Sequence, residues 1–68
     1  MINTHKVKIR MVERKINQKK LAALMGLAQS TLSQKINNSR PMDLEEAEKM
    51  SKLLNISKEE FSEYFFSR

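Results

Sequence analysis

The chain has 68 residues, a formal charge of +5, and neither cysteine nor tryptophan. A domain of that size buries only about 60% of the surface its unfolded form exposes. Without thiols no disulfide or thiolate metal site can staple it, so aliphatic packing must supply the core. No apolar run approaches the roughly 18 residues that span a bilayer, and the first residues do not resemble a signal peptide. The sequence therefore predicts one cytoplasmic domain over residues 1–68 with no membrane partner. A single Gly and a single Pro suit short helices better than tight β-turns, so the expected class is all-α.

In chain order, Thr4 is placed to cap a first helix from about His5 to Arg14. Val7 and Met11 lie one turn apart there, with Val12 and Ile16 extending the apolar side. Its other face carries Lys6, Lys8, Arg10 and Arg14, of which Lys6, Lys8 and Arg10 are credited with long-range attraction only. Asn17 is the next cap candidate, and Leu21, Ala22, Leu24 and Met25 then recur at helical spacing until Gly26. A glycine directly after an apolar helical stretch suits a left-handed C-terminal position, where a Cβ costs steric energy. Only Leu27 and Ala28 precede a third helix, Gln29 to Ile36, with Leu32 and Ile36 on one face. Asn37, Asn38, Ser39, Arg40 and Pro41 form a polar loop. Asp43 with Glu46 makes a capping box for a fourth helix through Leu54, striped by Leu44, Ala47, Met50 and Leu54. Ser57 with Glu60 makes another for a fifth helix, Lys58 to about Phe66, with Ile56 stapled onto Phe61.

The charge is unevenly distributed. From Met1 to Met42 nine Lys or Arg face Glu13 alone, a net of +8; from Asp43 to Arg68 four face seven acids, a net of −3. A basic front and an acidic back suit a molecule that lays one face on a polyanion. Inside the basic part, residues 18–37 have what a steep two-helix crossing needs. Ala22 is small enough for close approach, Gly26 makes the turn, and Leu21, Met25, Leu27, Leu32 and Ile36 anchor both helices.

With these residues the chain resembles the Cro and lambda-repressor type of helix-turn-helix proteins, the XRE family, over nearly its whole length. The run Lys35-Ile36-Asn37-Asn38-Ser39-Arg40-Pro41 looks like the family's loop after the recognition helix. The segment from Glu48 to Ser57 looks like its fourth helix and the turn into its fifth. The ending Tyr64-Phe65-Phe66 is similar to small phage-encoded members of Gram-positive bacteria. Asn38 departs from a common glycine and should stiffen the loop. Met11 departs from a common arginine and should remove a polar contact between the first helix and its neighbours.

The resemblance implies a compact five-helix lambda-repressor-like domain, with its helix-turn-helix at residues 18–37, acting as a regulator on double-stranded DNA. With Leu32 and Ile36 inward, Gln29, Ser30, Ser33, Gln34 and Asn37 point outward, since residues three and four apart share a face. These are the candidate base contacts, because Gln can pair with an adenine edge and Ser can serve several bases. Gln18 resembles the family's phosphate-contacting glutamine, at the start of the second helix where backbone N–H groups are exposed. Lys19, Lys35, Asn38 and Arg40 are the further candidate phosphate contacts.

Other chemistries find little support. His5 has no second histidine or thiol to join it, so no metal is expected. The acids at the starts of the last two helices suit helix dipoles, and no nucleophile and base pair or glycine-rich phosphate loop occurs. The sequence predicts a non-enzyme with no cofactor and no small-molecule ligand. Met11, Met25 and Met50 fall on apolar stripes and read as core. The competing reading is a helix-turn-helix module that grips a protein, as an antirepressor, antitoxin or modulator; it would favour apolar anchors on the third helix. All four aromatics lie between Phe61 and Phe66, more than one short helix can bury. Tyr64 and Phe66 are therefore the candidate contacts of a weak homodimer on a pseudo-palindromic operator.

Overall fold

A computed structural model describes residues 1–66; Ser67 and Arg68, the end of the expected domain, lie outside the described residues. Five helices follow one another, with no strand among the described residues: α1 (Thr4–Glu13), α2 (Gln18–Met25), α3 (Gln29–Ile36), α4 (Leu44–Leu53) and α5 (Lys58–Phe65). At eight to ten residues each they are too short to persist alone, so packing and end signals must hold them.

The starts are capped by side chains at four of the five helices. Asn17 Oδ1 accepts from the Lys20 N–H at 2.8 Å, and Asp43 with Glu46 forms the full reciprocal capping box. At α5 only half of the expected box forms. Ser57 Oγ accepts from the Glu60 N–H, but the Glu60 carboxylate turns to the Ser57 hydroxyl instead of the backbone. The cap of α1 is Asn3, one residue before the expected Thr4: Asn3 Oδ1 reaches the Lys6 N–H at 3.1 Å. Thr4 is already helical, and its hydroxyl donates instead to the Ile36 carbonyl at 2.7 Å.

The ends share one geometry. Lys15, Gly26, Asn38 and Asn55 each follow a helix with φ between 55° and 71°. The next N–H in each case, from Ile16, Leu27, Ser39 and Ile56, folds back onto the carbonyl of Met11, Ala22, Gln34 and Ser51, at 2.8–3.0 Å. This left-handed exit satisfies carbonyls that a helix end leaves without partners. Three of the four residues after the exit, Ile16, Leu27 and Ile56, then pack against the core.

Lys15 is the least suited of the four to its conformation, since left-handed backbone costs a residue with a Cβ about 1 kcal/mol or more and Asn less than most. Lys15→Gly is expected to raise stability by about 1 kcal/mol, while Lys15→Ala leaves it unchanged. Urea midpoints compare the two. Equal midpoints for both variants would remove strain as the explanation.

Val7, Leu21, Leu32, Ile36, Met50 and Leu54 are fully enclosed, and Ile2, Met11, Ala22, Met25, Ala47, Tyr64 and Phe65 complete the core. Within this core α2 packs across α3 and α4, and α1 lies against α5. The radius of gyration, 10.6 Å, matches the roughly 11 Å of a compact chain of this length.

Three residues expected on apolar stripes are exposed. Val12 lies about 120° round α1 from Val7 and Met11, and the exit at Lys15 returns Ile16 to the core instead. Leu24 lies about 100° round α2 from the centre of Leu21, Ala22 and Met25. Leu44, the first residue of α4, projects past the stripe, and Met42 packs on the core from before the helix.

Candidate nucleic-acid interface

The α2–α3 unit is built around the left-handed Gly26, at φ 71°. A Cβ there would meet nothing within 4 Å, so it is the backbone conformation, not space, that asks for glycine. Leu27 N–H closes the turn on the Ala22 carbonyl, and Ala22 is buried at the helix crossing. With Leu32 and Ile36 fully enclosed, the opposite side of α3 is fixed. Ser30, Gln34 and Asn37 are exposed there, Gln29 is exposed at the first position of the helix, and Ser33 is half-buried beneath Asn37, whose amide donates to its hydroxyl at 3.4 Å. The structure thus places Ser30, Ser33, Gln34 and Asn37 on one uncharged face, with Gln29 at the start of the helix. Thr31 was overlooked: it is half-buried and three residues before Gln34, a spacing that puts it beside that face.

The electrostatics of the helix ends divide the molecule. The first turns of α4 and α5 carry Glu45 and Glu46, and Glu59 and Glu60, which oppose the positive end of the helix dipole. The first turns of α2 and α3 carry no acid. The cap of α3, Ala28, offers no side-chain acceptor, so the N–H groups of that turn are open to an outside partner. At α2, Asn17 takes only the Lys20 N–H by its side chain, which leaves the amides of Gln18 and Lys19 at the helix start. Gln18 is half-buried and Lys19 exposed.

The remaining candidates separate. Arg40 is exposed, and its backbone N–H is held on the Gln34 carbonyl at 3.3 Å. Lys35 points away from the reading face: its ammonium pairs with Glu46 on α4, and its side chain is only 12% exposed. Asn38 sits at the exit of α3 with its side-chain amide bonded to the backbone of Ile2. Neither has the free side chain expected of a phosphate contact. Lys35 is drawn off by the carboxylate of Glu46, and Asn38 by the extended N-terminal segment that runs past it.

At the other end of the molecule Tyr64 is buried, with Lys6 Nζ 5.1 Å above its ring, so it offers no apolar surface to a second copy. Phe66 is 59% exposed, although its ring still lies 5.7 Å from that of Phe61. Arg10 is a correction of another kind. It is half-buried, and Nε and Nη2 donate to the carbonyls of Leu54 and Asn55 at 2.9 and 2.6 Å, tying α1 to the end of α4. The polar contact expected to be lost with Met11, itself buried in the core, is thus supplied from the neighbouring position.

Among the described residues no group of His, Asp and Glu is arranged to hold a metal, and no helix is long and apolar enough to cross a membrane. No curated protein matches the sequence. A family model described as Helix-turn-helix matches residues 7–61, from the core residue Val7 in α1 to Phe61 in α5. The five-helix architecture, the glycine turn between α2 and α3 and that match agree: the chain belongs to the XRE, or lambda-repressor-type, helix-turn-helix family of DNA-binding transcription regulators.

Proposed function

We propose that the protein is a sequence-specific regulator that binds a pseudo-palindromic double-stranded operator as a weak homodimer, a repressor of the Cro type. The observation that carries this reading is the exposed face of α3. It presents amides and hydroxyls without charge, on a helix whose open, acid-free start is suited to a polyanion. Gln29, Ser30, Ser33, Gln34 and Asn37 read base edges in the major groove. Gln18, Lys19 and Arg40 hold the phosphates on either side. A surface for gripping protein would need apolar anchors on that face, and it has none.

Dimerisation follows from what one eight-residue helix can do. It covers too few base pairs for high specificity, and two half-sites about one DNA turn apart solve this. Phe66 supplies an exposed apolar contact for the pairing. A phage or prophage origin is supported by the Tyr64-Phe65-Phe66 ending alone.

Selection of bound sequences from a random duplex pool tests the reading, and a two-fold consensus is the expected result. On the selected site Gln34→Ala should cost about 2 kcal/mol in binding and leave affinity for random duplex unchanged. Equal losses on both duplexes would remove Gln34 from base readout. A wild-type protein that enriches no sequence and binds no duplex would favour a protein partner instead.

A further inference from the structure

Asn38 does more than turn the chain. Its Oδ1 accepts from the Ile2 N–H at 2.8 Å while its Nδ2 donates to the Ile2 carbonyl at 2.9 Å. A carboxamide carries the donor and acceptor of a peptide group, so it pairs with Ile2 as a neighbouring strand would. The second Nδ2 proton faces Thr4 Oγ1 at 3.4 Å, and that hydroxyl in turn donates to the Ile36 carbonyl at 2.7 Å. The Ile2 side chain is buried, and the Asn3 N–H donates to the Tyr64 carbonyl at 2.8 Å. Residues 2–4 therefore form a strap, fastened on one side to the exit of α3 and on the other to the last turn of α5.

We infer that Asn38 is a positioning residue for DNA reading, acting through this strap, and is not a phosphate contact. The inference rests on the duplex-binding reading above. Helix α3 has little more than two turns, and its direction is set where it enters, at Gly26, and where it leaves, at Asn38. Base-edge hydrogen bonds weaken steeply with small displacements, whereas contacts to phosphates on random duplex tolerate them. A looser exit therefore lowers specific binding selectively. Asn38 is exposed, yet both contacts of its Nδ2, with the Ile2 carbonyl and with Thr4 Oγ1, are made within the chain and turn its donor away from an outside phosphate.

Two variants test this by removing the fastening without imposing strain. Asn38→Gly keeps the left-handed backbone and deletes the amide, and Thr4→Val keeps the shape and deletes the hydroxyl. Each is measured by urea titration, by amide exchange at Ile2, and by affinity for selected and random duplex across a salt series. Both variants are expected to stay folded, and the Ile2 amide should lose protection in Asn38→Gly. Affinity for the selected site should fall about 3- to 10-fold in each, with random-duplex affinity and both salt slopes unchanged.

Equal losses on selected and random duplex in Asn38→Gly, with Thr4→Val unaffected, would make Asn38 a phosphate contact after all and overturn the inference. Unchanged specific affinity in both variants, or equal losses on both duplexes, would overturn it too. A wild-type protein that binds no duplex would take down the regulator reading and the positioning role together. Intact wild-type binding with unaffected variants removes the positioning role alone.

Discussion

Raising salt from about 50 to about 200 mM is expected to weaken binding to the selected duplex by about 150-fold. The figure comes from counting the cations assigned to phosphates above. Lys35 is held by Glu46 and Lys6 by Glu63, so of the cations placed around the helix-turn-helix, Lys19 and Arg40 are the two assigned to phosphates. Two copies on one operator then neutralise about four phosphates, and each releases about 0.9 counterions, for a log–log slope near −3.6. Lys19→Ala removes one contact per copy and should bring the slope to about −1.8 while weakening selected and random duplex alike. Fluorescence anisotropy across the salt series measures both. A wild-type slope near zero would sink the electrostatic assignment, and an unaltered slope in Lys19→Ala would move the contact to another cation.

Arg10→Met is expected to lower folding stability by about 3 kcal/mol, the largest loss assigned to any single side chain here. Hydrogen bonds made by a charged donor contribute about 1.5 to 3 kcal/mol each. The lower end applies, because the Arg10 side chain is 22% exposed and its bond to the Asn55 carbonyl lies at the surface. Its two acceptors, Leu54 and Asn55, close α4, where carbonyls lack helical partners and the dipole favours a cation. The contact with Glu13 at 3.4 Å is a surface ion pair and adds little. A domain of this size holds only about 3 to 10 kcal/mol in total, so a loss of that order should lower the melting temperature by about 15 °C. Arg10→Lys keeps the charge but loses the planar fork, and should recover about half. Thermal and urea unfolding of the three proteins decide the matter. An Arg10→Met protein within about 0.5 kcal/mol of wild type would show that the carbonyls are satisfied by water as well as by the guanidinium.

The distances in sequence explain what could be read without a structure and what could not. Helix α3 was legible to the residue, as were the start of α2 and the capping box of α4, because Asn17, Gly26 and the Asp43 and Glu46 pair act within a few positions of themselves. The exposure of Ser30 and Gln34 follows from the same local period, once Leu32 and Ile36 are inside, whereas Gln29 is exposed because it opens the helix. Arg10, Asn38 and Lys35 were misjudged for the opposite reason. Their partners lie 44, 36 and 11 residues away, and each looked like a free surface residue in a basic or polar run. Thr4 was displaced from its expected cap by Asn3, a closer competitor for the same N–H, and then found its own partner 32 residues away. Tyr64 failed on angle, since projection around an ideal helix says which way a ring points but not how deep the neighbouring surface is. Lys15 gave no signal, because nothing in residue type marks a lysine as left-handed, whereas Asn55 is of a type that favours that conformation and was passed over.

The repeated left-handed exit makes the aim of α3 a matter of counting. Each stop fixes a helix length through about six consecutive residues, independently of the rest of the chain. A helix that ran one residue past its stop would carry whatever follows about 100° round its axis and 1.5 Å along it. At Gly26 such a slip would carry α3 as a whole round the axis of α2, so that Leu32 and Ile36 would leave their seats in the core and Gln34 would face another way. The stops thus serve as an index, like the detents of a dial, and the single glycine sits at the detent directly before the face on display.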